Sequence, residues 1–338
     1  MTTAGDQATR RWSDALMPRT FTLWTMVLAV ASVVSQAGII VTGGAVRLTA
    51  SGLGCSEWPR CTPESYVTTP EMGINGAIEF GNRLLTFVLA AIAVLMILAL
   101  WRLRKTHGKL FGMSLVLALV IPAQALIGGI TVWTDLNPWV VMLHFLVSAL
   151  MVSIATLLAY RVGVERRARL TNTHDRKIQD GVTTPLTRIS SITIYIAGWF
   201  TLVMGTIVTG SGPHGGDPAA PRHEFDQLLV TRMHAAPVYL MVALTVVLLV
   251  VMYRLQTSVR QRRAVWSLAA VLVFQAVVGF YQHFNDLPIG VVWMHMFGIG
   301  LVTWAMTVVL DVFNSKYESM PTQYEVAQKE EPETLIHA

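Results

Sequence analysis

The chain has little charge and few cysteines for its length. Only 13% of its 338 residues are Asp, Glu, Lys or Arg, only two are cysteines, and 53% are hydrophobic. Soluble globular domains carry about 25% charged residues, so this composition excludes an ordinary soluble domain. The sequence also lacks a Walker loop, a GxGxxG fingerprint and a serine triad. The segments Gly43-Gly44 and Gly210-Ser211-Gly212 are interpreted as helix ends. Nucleotide, flavin and nicotinamide chemistry is therefore not indicated.

The apolar residues fall into long runs. An α-helix rises about 1.5 Å per residue, so about 20 apolar residues cross a bilayer. The alternation of short membrane strands is absent, which leaves helices as the spanning elements. Eight spans are predicted at residues 22–46, 77–101, 111–133, 138–160, 190–210, 229–253, 264–284 and 289–312. The predicted fold class is therefore an all-α integral membrane protein.

Positive charge lies almost entirely on one side of these spans. Of the 25 Lys and Arg residues, only five fall on the other side: Arg47, Arg60, Arg83, Arg222 and Arg232. The positive-inside rule then predicts that both termini are cytoplasmic and that the loop 47–75 is extracytoplasmic. The first apolar run is long and lacks a small-residue cleavage site, so it is not interpreted as a cleaved signal. The charge pattern indicates a multi-pass protein of the cell (plasma) membrane, in contact with lipid, and not a nucleic-acid binder.

The second half of the chain repeats the first. The motif Ile-Val-Thr-Gly occurs at 40–43 and 207–210, and Gln-Ala-x-x-Gly occurs at 124–128 and 275–279. Both halves have four spans and start on the same side, so they are predicted to form two tandem parallel four-helix bundles. The predicted divisions are an N-terminal arm 1–21, a first bundle 22–160, a basic linker 161–189, a second bundle 190–312 and a tail 313–338.

Two histidines in the second bundle suggest a haem site. His234 and His295 fall at similar depth in the second and fourth spans of that bundle. Two imidazoles that face each other across a bundle are what a bis-histidine haem needs, whereas zinc would call for further Cys or carboxylate ligands. The alternative is that each histidine is simply hydrogen-bonded to a neighbouring helix. His214, His223 and His283 lie in or near outer segments, and we expect them to be solvated.

The first bundle carries an incomplete copy of this pair. His144 is equivalent to His295, but Asn82 stands opposite His234, and Asn is a poor iron ligand. Glu79 lies three residues before Asn82 on the same helix face. It is either an interface residue or, beside an open iron position, a proton donor or a stabiliser of a radical or a cation. Arg83 either extends to water or pairs with a carboxylate such as a haem propionate.

The two cysteines, Cys55 and Cys61, lie six positions apart in the outer loop. An oxidising compartment permits a disulfide there. Two interpretations stay open: the pair holds together a cover over the pocket, or it exchanges electrons or thiols.

Several of these motifs together resemble the haem A synthase family, which has bacterial and mitochondrial members. The resemblance covers about 22–312. It is carried by the run from Gly43 to Cys55 with Trp58, Pro59 and Cys61, by Ile-Glu-Phe-Gly-Asn-Arg at 78–83, by Gly-Gly-x-Thr-Val at 128–132, by Asn-Pro at 137–138, and by His144, His234 and His295. Asn82 departs from the family pattern, in which many members have histidine.

The resemblance implies both a fold and a reaction. It implies four plus four helices, a haem b cofactor bound by His234 and His295, and haem O as substrate in the first half beside His144. It implies that Glu79 is needed for activity and that Cys55 and Cys61 are the outer-loop pair. The implied reaction oxidises one ring methyl of haem O to a formyl group, through hydroxylation and loss of water, for cytochrome oxidase assembly.

Other functions and partners stay open at this point. A b-type cytochrome that transfers electrons from quinol would keep two similar bis-histidine sites, which Asn82 and Glu79 disfavour. A haem-binding transporter or scaffold would also suit parallel repeats. Haem b is the expected electron relay, the external electron donor is unidentified, and a haem O synthase is the expected supplier of substrate. Assembly as a homo-oligomer is left open.

Overall fold

A computed structural model describes residues 13–171, 181–255, 257–315, 317, 319–323 and 326. The expectations for the first twelve residues, for 172–180 of the linker and for the end of the tail lie outside these ranges. The long helices are α1 Leu23–Leu48, α2 Gly73–Leu100, α3 Gly108–Trp133, α4 Pro138–Thr171, α5 Pro185–Ser211, α6 Gln227–Arg254, α7 Val259–Phe284 and α8 Ile289–Asn314. All eight are long and apolar enough to cross a membrane, which confirms the predicted spans. The described residues contain no strand.

Local sequence signals explain where several helices begin. Thr184 and Thr187 form a capping box at the start of α5, with Pro185 at the first helical position. Ser258 and Gln261 form the same box at the start of α7. These side chains satisfy backbone N–H groups that have no partner within the helix.

Each half of the chain forms its own ring of contacts. In the first half, α1 contacts α2, α2 contacts α3, α3 contacts α4, and α4 returns to α1. In the second half, α5 to α8 contact one another in the same order, and α8 returns to α5. The halves meet where α8 packs against α1 and α4 and where α4 contacts α5. The arrangement as two tandem parallel bundles and the membrane side of each terminus both stay predictions.

Two boundary predictions are wrong. Helix α4 continues to Thr171, so the first part of the predicted linker 161–189 is helical, with Val162, Val164 and Ala168 buried. Helix α1 continues through the predicted end at 43–44 to Leu48. Gly44 does not end the helix but lies where α1 and α8 approach closely. A Cβ there would lie 2.9 Å from Sδ of Met296 on α8. A side chain at this position would require the end of the Met296 side chain to shift.

The end of the bundle opposite the cysteine loop holds a buried polar cluster. The Glu165 carboxylate on α4 accepts hydrogen bonds from the Tyr317 hydroxyl at 2.6 Å and from the Met320 amide at 3.3 Å. Nε2 of His107 lies 3.6 Å from the same carboxylate. Burial, followed by the charge of Glu165, raises the pKa of Tyr317 above its usual value. The start of the tail is therefore fixed against the end of the first bundle.

Candidate functional site

His234 on α6 and His295 on α8 face each other within the second half. Their ring centroids lie 6.3 Å apart and the planes are inclined by 76°. Two imidazoles that bind one metal ion from opposite sides, through bonds of about 2 Å, place their ring centroids about 6 Å apart. Within the described ranges no three His, Cys, Asp or Glu side chains gather as a metal-binding group. The geometry of this pair therefore fits the two axial ligands of a haem.

Neighbouring helices set the orientation of both rings. Nδ1 of His234 lies 3.0 Å from the carbonyl oxygen of Thr201 on α5. A carbonyl only accepts, so Nδ1 donates and Nε2 keeps a free lone pair for a metal. Each ring also packs on a glycine: a Cβ on Gly205 would lie 3.0 Å from Cε1 of His234, and one on Gly279 would lie 3.6 Å from Cε1 of His295. The neighbouring helix therefore presents backbone without a side chain at each glycine, and the imidazole packs directly against it.

His144 on α4 has the same surroundings as His295. A Cβ on Gly128 would lie 3.4 Å from Cε1 of His144. Nε2 of Gln124 donates to the His144 carbonyl at 3.0 Å, and Gln275 donates to the His295 carbonyl at 3.2 Å. Nδ1 of His144 is buried and has no hydrogen-bond partner in the part of the chain that the structure describes. The equivalence of the two positions thus extends from sequence to local geometry.

The turns that precede these histidine helices also repeat. Asp135 and Leu136 both adopt left-handed backbone angles, with φ of 49° and 60°, and Asp286 and Leu287 do the same at 54° and 53°. Such angles are rare for residues other than glycine. The same unusual turn therefore introduces α4 and α8.

Asn82 on α2 differs from its counterpart His234. The Thr42 hydroxyl on α1 donates to Oδ1 of Asn82 at 2.8 Å. Gly38, one turn before Thr42, is equivalent to Gly205 but has nothing within 4 Å of a Cβ placed on it. The first half therefore has open space where the second half has an imidazole.

Glu79 and Arg83 bind the outer loop. The Cys55 amide donates to Oε2 of Glu79, and Arg83 forms an ion pair with Oε1. Arg83 also donates to the carbonyls of Glu57 at 3.0 Å and Arg60 at 2.9 Å. Glu79 is only 6% exposed, so it is not a simple interface residue. Arg83 does pair with a carboxylate, but that carboxylate belongs to Glu79.

The outer loop lies against the first half. Cys55 and Cys61 form a disulfide, and both are fully buried. The indole of Trp58 lies on α3 against Gly129, where it leaves no room for a Cβ. The Trp133 indole N–H donates to the Trp58 carbonyl at 3.1 Å. The loop is therefore fixed to both α2 and α3, as a cover of this half would be.

Arg47 joins the two halves near the same end. Its guanidinium donates to the carbonyls of His214 at 2.6 Å and Thr209 at 2.9 Å, both in the second half. The Gly52 amide donates to the Gly216 carbonyl at 2.8 Å. The two outer loops are therefore bound to each other, which the sequence did not indicate.

The expectation that the outer histidines are solvated is correct only for His283, which is exposed. His223 is 7% exposed, because it packs into the junction between the halves. This burial lowers the pKa of His223, and the nearby charge of Arg47 lowers it further. Nε2 of His214 lies 3.2 Å from the carbonyl oxygen of Leu287.

Three residues of the site were not identified as site residues from the sequence: Thr42, Thr201 and Gly205. Thr42 belongs to the repeated Ile-Val-Thr-Gly motif, so its recurrence was a usable signal. Thr201 acts through its backbone carbonyl, which leaves no signal in the sequence. The role of Gly205 follows only from the packing of α5 against α6, which brings this glycine next to the ring of His234.

Comparison with known proteins places the chain in a family. Residues 24–308 match the COX15-CtaA family, described as cytochrome oxidase assembly protein. Heme A synthase of Bacillus pumilus strain SAFR-032 is 26% identical over 293 residues, 83% of this chain and 93% of the relative. Heme A synthase of Lysinibacillus sphaericus strain C3-41 is 28% identical over 289 residues, 81% of this chain and 90% of the relative. The chain therefore belongs to the COX15-CtaA family of cytochrome oxidase assembly proteins.

Proposed function

We propose that this chain is a haem A synthase that oxidises a ring methyl group of haem O to a formyl group, giving haem A for a terminal oxidase. Two relatives that match most of both chains are heme A synthases by name. Within this chain, the observation that carries the proposal is the difference between the halves. His234 and His295 form a facing pair, whereas Asn82 stands in the equivalent place beside open space. One site is thus suited to a resident cofactor and the other to a substrate.

Haem b is the proposed resident cofactor, with His234 and His295 as its ligands. The 6.3 Å separation of their ring centroids and the bond from His234 to the Thr201 carbonyl support this assignment. When bound, haem b supplies one-electron transfer. The protein contributes the fixed tautomer of His234 and the flat glycine surface behind each ring, which orient both imidazoles.

Haem O is the proposed substrate of the first half, with His144 as its only protein ligand. Gly128 lies behind the ring of His144, and Gln124 holds the backbone of α4 at that residue. Asn82 is not expected to bind iron, because an amide is a weak ligand and its oxygen accepts from Thr42. The substrate face opposite His144 is therefore left open.

Glu79 is proposed to position the outer loop and to stabilise positive charge that develops on the substrate as it is oxidised. Both of its carboxylate oxygens accept hydrogen bonds, from Arg83 and from the Cys55 amide. This arrangement favours an electrostatic role over that of a proton donor. Arg83, bonded to loop carbonyls as well, is proposed to hold the cover closed. The disulfide between Cys55 and Cys61 then keeps the cover in one shape.

The finer expectations on location and partners are part of the same proposal. The chain is proposed to lie in the plasma membrane as two parallel bundles, with the cysteine loop outside and haem O delivered by a haem O synthase. Tyr66 in that loop is 64% exposed, and Lys105 is exposed at the opposite end. A membrane-impermeant maleimide on intact cells should label Tyr66→Cys and spare Lys105→Cys. The reverse pattern would contradict the orientation.

The reaction itself is tested by haem identification. The chain is co-expressed with a source of haem O in cells that lack their own haem A synthase, and the haems are extracted, separated and weighed by mass spectrometry. Haem A should appear only when the chain is present. Bound haem b without haem A would favour the quinol-linked cytochrome instead. A protein that holds no haem would exclude both functions.

A further inference from the structure

The open space beside Asn82 raises the question of what occupies it during the reaction. In the second half, His234 fills the equivalent space, since a Cβ on Gly205 would meet its ring at 3.0 Å. In the first half, Asn82 is shorter and Gly38 has nothing within 4 Å of an added Cβ. The exchange of an imidazole for an amide thus leaves a recess beside Gly38, one helical turn from Thr42.

Thr42 fixes which end of the Asn82 amide faces this recess. Its hydroxyl lies 2.8 Å from Oδ1 of Asn82, nearer than the carbonyls of its own helix at 3.2 and 3.3 Å. Thr209, the equivalent residue of the second half, instead donates to the carbonyl of Gly205 at 2.7 Å. With Oδ1 held by Thr42, the two N–H donors of the amide point away from α1.

Among the described residues, the N–H group of the Asn82 amide has no hydrogen-bond acceptor. No described side chain or carbonyl accepts a hydrogen bond from Nδ2 of Asn82, although the side chain is only partly exposed. A half-buried donor that is held in place and has no acceptor among these residues is available to a molecule from outside the chain. An asparagine side chain has two fewer heavy atoms than a histidine side chain, so the exchange itself frees room for a molecule of about two heavy atoms.

We propose that Asn82 and the recess beside Gly38 form a binding site for a molecule of the size of water or dioxygen, on the open face of the substrate haem. Asn82 donates a hydrogen bond to this molecule, and Thr42 is a positioning residue that holds the amide in the donating orientation. The inference rests on the proposed function, since it takes haem O to lie beside His144. It assigns to Asn82 the role of a donor to a small reactant, where a histidine would block the iron.

Carbon monoxide is a suitable probe for this site. It binds ferrous haem only where one axial position is open, so a bis-histidine haem in the second half would not respond. A hydrogen bond to its oxygen lowers the C–O stretching frequency, which infrared spectroscopy measures. The full-length protein, loaded with haem O in detergent and reduced, is compared with Asn82→Leu, Thr42→Val and Asn82→His. The matched control is Thr209→Val, in the second half.

The proposal expects a distinct outcome for each variant. Asn82→Leu should keep carbon monoxide binding but move the stretch to higher wavenumber, and Thr42→Val should move it the same way by less. Asn82→His should lose carbon monoxide binding, because the imidazole takes the open position. Thr209→Val should leave the stretch unchanged. The haem b absorbance of the second half reports that each variant is folded.

Two results would overturn the inference while leaving the proposed function intact. One is a stretch that is the same in the unmodified protein and in Asn82→Leu, and the other is undiminished carbon monoxide binding by Asn82→His. Protein that takes up haem O but binds no carbon monoxide would contradict the open face on which both the inference and the proposed substrate site rest. Failure to take up any haem would instead contradict the proposed function itself.

Discussion

The two halves of this chain share one framework but differ at one ligand position. In both halves a glutamine donates to the carbonyl of a histidine one helix away, a glycine lies behind that histidine ring, and the same left-handed turn precedes its helix. The halves differ where His234 bonds to a carbonyl while Asn82 accepts from Thr42. The two halves therefore keep one scaffold and differ in the residue at one position, an imidazole in the second half and an amide in the first.

The outer loops of the two halves differ as well. The loop over the first half carries a disulfide and is held by Glu79 and Arg83 of its own bundle. The loop that follows α5 has no disulfide, and Arg47 of the other half binds to its carbonyl at His214. The loop over the half with the open ligand position is thus the one that a disulfide cross-links and that an ion pair of its own bundle holds.

The largest expected effect is the loss of haem b when one of the two proposed histidine ligands is removed from the second half. His234→Ala and His295→Ala should each abolish tightly bound haem b, because one remaining imidazole leaves the iron without its second axial bond. The measurement is haem b content per protein, from the reduced-minus-oxidised spectrum of the purified chain. His283→Ala is the matched control, since His283 is exposed at the end of α7.

Full haem b content in either ligand variant would show that the facing pair is ordinary packing. A loss of haem in the His283→Ala control would point instead to general instability of the second half.

A smaller effect is expected when Glu79, which holds the outer loop of the first half, is replaced. Glu79→Gln keeps the size of the side chain but removes the charge that pairs with Arg83. Breaking one partner of a buried ion pair costs about 3–5 kcal/mol. The loop should therefore open more often, so that haem A formation falls by at least about tenfold and the buried disulfide becomes faster to reduce. Both are measured, the second by alkylation and mass after a timed exposure to thiol.

Glu57→Gln is the control for this experiment, because its side chain is exposed in the same loop. Haem b of the second half should be unchanged in both variants. If Glu79→Gln forms haem A at the normal rate with normal disulfide reduction, Glu79 neither anchors the cover nor assists the oxidation.

The sequence predicted the spans from a local feature and the facing histidines from the internal repeat. The length and apolarity of each run define a helix, and the repeat shows that His144 and His295 are equivalent. The boundary at 43–44 was predicted wrongly, because glycine can also mark close packing between helices, as Gly44 does against Met296.

The contact between Thr42 and Asn82 could not be predicted for a different reason. Both threonines of the repeated motif have the same neighbours along the chain, yet Thr42 bonds to α2 while Thr209 bonds within its own helix. Which of these occurs depends on the rotation of α1 relative to α2. It also depends on the size of the side chain at position 82, and neither can be read from a helical pattern.

The smallest expected effect comes from replacing the equivalent glycines of the two halves, Gly205 and Gly38, by alanine. Gly205→Ala places a methyl group 3.0 Å from Cε1 of His234, whereas Gly38→Ala meets nothing within 4 Å. Overpacking costs typically about 1–3 kcal/mol, while alanine gains about 1 kcal/mol over glycine within a helix. Gly205→Ala should therefore lower the unfolding temperature slightly and shift the haem b absorbance, as His234 is displaced. Gly38→Ala should leave haem b unchanged and unfold at the same or a higher temperature. Equal responses of the two variants would mean that the space beside Gly38 is already filled in the folded protein, and the difference between the halves would then lie in the residue at 82 alone.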